Sequence, residues 1–173
     1  MNLITNKRTI DPKDIPDNVI KLVGTDWMLI TAGTGEAWNT MTASWGGMGF
    51  LWNRNVAFCV IRPGRHTFGF MERNEHFTLS FFDDSWRKAL NLCGIETGRE
   101  VDKAAATGLI PVACPHGGVS FEQARLVLEC RKLYSHDLDP EHFLDPALMA
   151  HYPQHDYHRM YVAEILACHL EEV

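Results

Sequence analysis

Apolar positions in this chain recur mostly at the short intervals of extended backbone. Residues Val19 to Thr31 contain a β-compatible run, IKLVGTDWMLIT, and Met41 to Trp45 and Val56 to Ile61 supply two more, bounded by glycine, asparagine and proline. FTLSFF, Phe77 to Phe82, reads as a further strand. From Ser85 the spacing changes: Trp86, Ala89, Leu90 and Cys93 fall at helical intervals, and Gly94 marks the predicted end of that helix. REVDKAAATG, Arg99 to Gly108, predicts a second short helix stopped by Gly108. Ser120 to Leu138 alternates apolar and polar residues well enough for one or two strands, and Arg159 to Leu170 closes the chain with another.

Six or more strands with helices inserted between them, rather than alternating regularly, predict a mainly β fold. The expected form is an antiparallel barrel with helical excursions, not a doubly wound parallel sheet. No repeat, low-complexity tract or composition shift divides the 173 residues, so a single domain over 1–173 is expected. A chain of this length buries about 70% of its unfolded surface and folds without a metal or disulfide staple.

Composition narrows the function. Apolar residues make up 46% and charged residues 22%, as in ordinary globular proteins. A net charge of −6 gives no broad positive field for a phosphate backbone, so nucleic acid is a poor partner and any anion site must be local. The N-terminal MNLITNKRTI lacks the apolar core of a signal peptide, and no run approaches the ~20 apolar residues that span a bilayer. A cytoplasmic protein without a membrane partner is expected. The five cysteines are odd in number and form no C-x-x-C pair, which argues against a disulfide framework; Cys59 and Cys168, inside apolar segments, read as small hydrophobes.

Two stretches carry candidate chemistry. If Asn39 to Trp45 is extended, Thr40, Thr42 and Ser44 share one face and Asn39, Met41, Ala43 and Trp45 the other. A row of hydroxyls can donate to phosphate or carbonyl oxygens, and an aromatic beside the Gly46-Gly47 pair can flank a flat ring that approaches the backbone closely. Threonine in strands and tryptophan in cores are common enough to explain this stretch by packing alone. The second stretch, RPGRHT (Arg62 to Thr67), brings Arg62, Arg65 and Thr67 into one compact turn, and paired guanidinium donors match phosphate oxygens.

Taken in order, NTMTASWG (Asn39 to Gly46), the R-P-x-R-x-T run of Arg62 to Thr67, TGREVDK (Thr97 to Lys103) and DYHRMYVAEI (Asp156 to Ile165) resemble the flavin reductase-like family that includes flavoredoxin. The resemblance spans nearly the whole chain. It implies an FMN-binding split β-barrel of Greek-key type, holding FMN non-covalently as a homodimer with the flavin near the subunit interface. By the same resemblance Asn39, Thr40, Met41, Thr42, Ala43, Ser44 and Trp45 line the flavin, Arg62, Arg65 and Thr67 meet its phosphate side, and Lys103 reaches it from the helical segment. Lys103 by composition alone would be an ordinary exposed lysine. Thr97 stands where the family often has serine, and Ala163 where glycine is common in the closing strand. Either His136 or His142 is expected near the isoalloxazine, with nothing in the sequence to choose between them.

Nine histidines invite a metal reading, since His151, His155 and His158 lie close in sequence. Their spacing fits no zinc pattern, and pairing i with i+4 would need a helix across Pro153, so they are expected to be solvated loop histidines. Three functions stay open: an NAD(P)H-dependent flavin reductase using NADH or NADPH as co-substrate, a flavoredoxin-type electron carrier serving a redox partner protein, and a flavin store or FMN-independent structural barrel, with the intact Asn39, Ser44, Arg62, Thr67 and Lys103 arguing against loss of the ligand. The reductase reading requires no side-chain acid or base, so no catalytic residue is assigned. No G-x-G-x-x-G occurs, so nicotinamide would bind without that fingerprint.

Overall fold

The computed structural model describes residues 1–35 and 37–172. Its strands are β1 (Lys7–Ile10), β2 (Met28–Thr34), β3 (Ala37–Ala43), β4 (Gly46–Leu51), β5 (Arg54–Ile61), β6 (His76–Phe81), β7 (Pro111–Ala113), β8 (Val119–Phe121), β9 (Leu126–Asp137) and β10 (Arg159–Glu171). The helices are α1 (Val19–Lys21), α2 (His66–Arg73), α3 (Arg87–Ile95) and α4 (Lys103–Thr107). The fold is mainly β with inserted helices. Seven strands follow the order β3-β2-β6-β9-β10-β5-β4, with β1 added on β10 and every pairing antiparallel.

The two ends of that order, β3 and β4, are neighbours in the chain, separated only by Ser44 and Trp45. Three peptide steps span at most about 11 Å, so the sheet must roll until its ends meet at this corner. On either side of the corner the edges part, because β3 pairs with β2 and β4 with β5. The result is a split barrel.

Alternation along the strands divides the core. Met28, Ile30 and Ala32 of β2 and Leu126, Leu128 and Cys130 of β9 point into the barrel with Ile61, Phe77, Phe81 and Tyr161. Leu29 and Val127, one residue out of phase, point the other way and pack with Leu90 and Cys93 of α3 and Phe121 of β8. These β strands are therefore apolar on both faces. Met71 of α2 reaches the barrel interior, so α2 closes one end.

Several predicted elements shift. The Val19 to Thr31 run is not one strand: Asn18 accepts from the Lys21 amide and starts α1, which continues as a π-helical turn through Asp26 before β2 begins at Met28. Strand β3 ends at Ala43, so Ser44 and Trp45 form the barrel corner instead of extending the strand. Asp83 caps a 3-10 turn at Asp84–Trp86, and α3 runs on through Gly94, which faces Thr42, to Ile95. The second helix is shorter than expected. Asp102 caps it, so Arg99 to Asp102 lie outside, while Gly108 ends it at φ 76° as its glycine implies.

Candidate functional site

The split beside β3 opens into a cavity of about 260 Å³ lined by Met41 to Trp45, Val60, Arg62, Arg65 and His158. Five consecutive residues meet it, so the strand presents its backbone edge rather than one alternating face. Two hydroxyls of the row expected from the sequence are spent elsewhere, while Ser44 lines the cavity. Thr40 Oγ1 shares a hydrogen bond with Thr31 and reaches the Ile30 carbonyl, and Thr42 Oγ1 donates to the Leu90 carbonyl of α3. Those hydroxyls fasten β3 to its neighbours.

Farther along β3, a second cavity of about 380 Å³ is lined by Trp38, Asn39, Thr40 and the segment Gly98 to Lys103. Lys103 is 5% exposed and its ammonium donates to the Thr40 and Cys93 carbonyls at 2.8 Å each. Among the described residues no carboxylate pairs with it. Burial pushes this amine down to about 8, with Cys93 and the Arg65 charge as lesser influences of opposite sign. A buried ammonium held only by neutral carbonyls favours an anion beside it.

Arg65 precedes α2 and stands half-buried in the first cavity, where burial lowers its pKa; its guanidinium makes one long contact, 3.5 Å, to the Cys93 carbonyl. His66 is held below its ordinary pKa by burial and then by Arg99, Lys103 and Arg73, which shows how much positive charge converges on the start of α2. Thr67, buried in the first turn, accepts from the Asn39 amide at 2.7 Å, so its own hydroxyl proton stays available. Arg65 and Thr67 thus lie beside β3 together with Lys103, which is distant from them in sequence.

Arg62 lines the cavity but is already engaged. It donates to Asp156 at 2.5 Å and to the His151 carbonyl at 2.8 Å, and it lies over the Tyr152 ring. These contacts tie it to the segment that carries His158. His136 and His142, the expected histidine candidates, line a different cavity with Tyr134 and Phe143.

The histidine that lines the cavity beside β3 is His158. Its ring lies 5.0 Å from that of Trp45, and its Nδ1 is 2.9 Å from the Tyr152 hydroxyl. Burial, reinforced by the Arg62 charge, pushes its pKa down to about 4. It is a half-buried wall residue, which corrects the expectation of a solvated loop histidine; its neighbour His155 is exposed. The sequence offered one signal for it: it lies in DYHRMYVAEI, immediately ahead of β10, beside Asp156 that Arg62 requires.

The fold has close likenesses among solved structures. An FMN-binding domain of a flavin reductase-like enzyme from Shewanella baltica matches at TM-score 0.70 and 13% identity over 98% of this chain and 80% of that one. An FMN-binding protein from Thermus thermophilus with bound p-hydroxybenzaldehyde matches at 0.69 and 21%, over 95% and 82%. Flavoredoxin from Methanosarcina acetivorans matches at 0.66 and 20%, over 85% and 69%. No match was found among curated proteins. Residues 21–173 match the flavin reductase like domain, and the chain belongs to that family.

Proposed function

We propose that the protein holds FMN in the split beside β3 and acts as an NAD(P)H-dependent flavin reductase. The observation that carries this reading is the uncompensated charge of buried Lys103, which with Arg65 and Thr67 fits a phosphate at the start of α2. The edge of β3 from Asn39 to Ala43 that pairs with no strand, continued by Ser44 and Trp45, would orient the ring system. Gly98 fits this arrangement, since a Cβ there would come within 1.9 Å of Asn39 Oδ1 and displace it. Bound flavin supplies the hydride chemistry. The chain's own residues anchor the phosphate, present backbone donors and acceptors to the ring, and, through Trp45 and His158, shield one side from water.

A homodimer forms part of the proposal. Phe50 of β4, Trp52 of the β4–β5 turn, Phe58 of β5 and Tyr134 of β9 are exposed, with the Trp52 and Tyr134 rings 6.4 Å apart, an apolar face suited to a second copy. The test is an absorbance spectrum after FMN addition and desalting, followed by anaerobic NADH or NADPH. Retained flavin that bleaches supports the reductase. Retained flavin that does not bleach moves the assignment to a carrier for a redox partner protein, and failure to bind FMN at saturating concentration overturns the reading.

A further inference from the structure

The residues ahead of η-turn and helix, 1–9, are held to the barrel mostly by backbone. Ile4 N–H donates to the Ala113 carbonyl at 3.0 Å, Ala113 N–H donates to the Asn2 carbonyl at 2.8 Å, and β1 pairs with β10 from Lys7 opposite Glu171 to Ile10 opposite Cys168. Little apolar burial accompanies these bonds: Met1 and Leu3 are 55% and 61% exposed, and Ile4 packs only partly against the core. A segment held this way opens at a lower free energy than the core strands. It is a strap.

Beneath it lies a buried carboxylate. Glu129 of β9 is 2% exposed and accepts from His169 Nε2 of β10 and from the His116 backbone N–H, each at 2.7 Å, while its Oε1 stands 3.3 Å from His116 Nδ1. His169 is itself buried, and its other ring nitrogen is 3.4 Å from Thr9 Oγ1 of β1. Glu129 is therefore tied to the strap by two routes. One runs through His169 to Thr9, and the other through His116 to the turn that follows Ala113, closed by the Cys114 N–H on the Gly118 carbonyl at 2.9 Å.

Burial alone would raise the Glu129 carboxyl, but the His169 bond and then the His116 contacts outweigh it and hold the group below its ordinary value. The other ionisable groups near it are the Cys114 thiol, pushed up to about 12 by burial and then by Glu129, the Cys130 thiol, raised by burial and by its neighbours, and Lys7 of β1, whose charge faces Cys114, Glu171 and Glu122. From β6, Thr78 stands opposite Glu129 and brings no charge; two residues along β9, Arg131 is engaged with Glu164 at 2.7 Å.

We propose that Glu129 fastens an acid-released strap: its ionised carboxylate keeps residues 1–9 and the turn at Cys114–Gly118 seated, and its protonation lets both lift. Lifting uncovers β10 from Cys168 to Glu171, on the side where β5 stops pairing at Glu164, and leaves a row of backbone groups open to another strand. Because the closed-state pKa lies below the ordinary value of 4.5, the hold on the strap is complete above 4.5 and is lost as pH falls through the closed-state value.

Native-state hydrogen exchange on the full chain tests this, with the amides of Ile4, Ala113 and His116 reporting the strap and those of Phe77 and Leu79 in β6 reporting the core. The expected result is a strap-opening constant that is level from pH 8 to 6 and grows below 4.5, while the core amides stay protected. Glu129→Gln should open the strap about tenfold more at pH 7 and abolish the acid dependence. Thr9→Val, which cuts one route from outside the core, should also raise the opening constant and decides the matter if the glutamine variant does not fold. Strap amides that exchange at the rate of the β6 amides at every pH overturn the proposal, as does a Glu129→Gln chain with the parent's opening constant. A change in opening between pH 8 and 6 that persists in Glu129→Gln assigns control to the histidines and overturns it too.

Discussion

The side-chain amide of Asn39 donates to Thr67 Oγ1 across 2.7 Å, joining β3 to the first turn of α2 with both residues buried. Thr67→Val keeps the shape and removes the acceptor, leaving a buried N–H unpaired. The expected cost is about 1–3 kcal/mol in urea unfolding, with weaker flavin binding alongside. Asn39→Ala combined with Thr67→Val should cost less than the two changes summed; strict additivity would mean that the pair is not coupled.

Lys103 makes ligand binding pH-dependent. Its amine is pushed down to about 8, against an ordinary value of 10.5, so between those values the unfolded chain holds more protons. Unfolding free energy from this group therefore rises with pH across that window. Affinity for a phosphate ligand runs the opposite way, falling by up to about tenfold per pH unit above 8 as the charge is lost. Lys103→Met should flatten both profiles; an affinity profile unchanged by the substitution would remove Lys103 from the anion site.

Arg62 and Asp156 have side chains 30% and 34% exposed, so their ion pair is screened. A double-mutant cycle should give a coupling of about 0.2–1 kcal/mol. Arg62→Ala should speed proteolysis near His151 to Asp156 and change FMN affinity by less than about twofold, whereas Arg65→Ala should cost about tenfold or more. The reverse order of effects would return Arg62 to the phosphate.

His158, with a pKa near 4, stays uncharged through neutral pH. Its folded value lies below the unfolded value of about 6.5, so its contribution to stability is present above 6.5 and is lost as pH falls toward 4. Nitrogen NMR of the imidazole should show a neutral ring at pH 5.5, and His158→Gln should remove that part of the acid sensitivity. A ring already protonated at pH 5.5 would contradict the burial that sets its environment.

Much of the strand framework could be read from alternation, because β5, β6, β9 and β10 combine apolar runs with clear turn residues at their ends. Val19 to Asp26 could not, since its β-branched and apolar residues suit either state and only the Asn18 cap decides. Helix α2 went unseen for a related reason: His66 to Arg73 mixes polar and aromatic residues, and its helicity depends on Met71 entering the barrel. At the site, motif resemblance named Arg65, Thr67 and Lys103, while the carbonyls that hold the Lys103 ammonium come from 63 and 10 residues away. His158 was missed because its partners, Trp45, Tyr152 and Arg62, become neighbours only when the segment ahead of β10 folds back over the split.

The two-residue corner at Ser44 and Trp45 gives the barrel's closure and the cavity wall a common structural element. Lengthening or loosening it would pull the sheet ends apart and unmake the binding edge in one motion. Across substitutions there, retention of ligand and resistance to heat should therefore vary as one property, and selection acting on either would constrain the other.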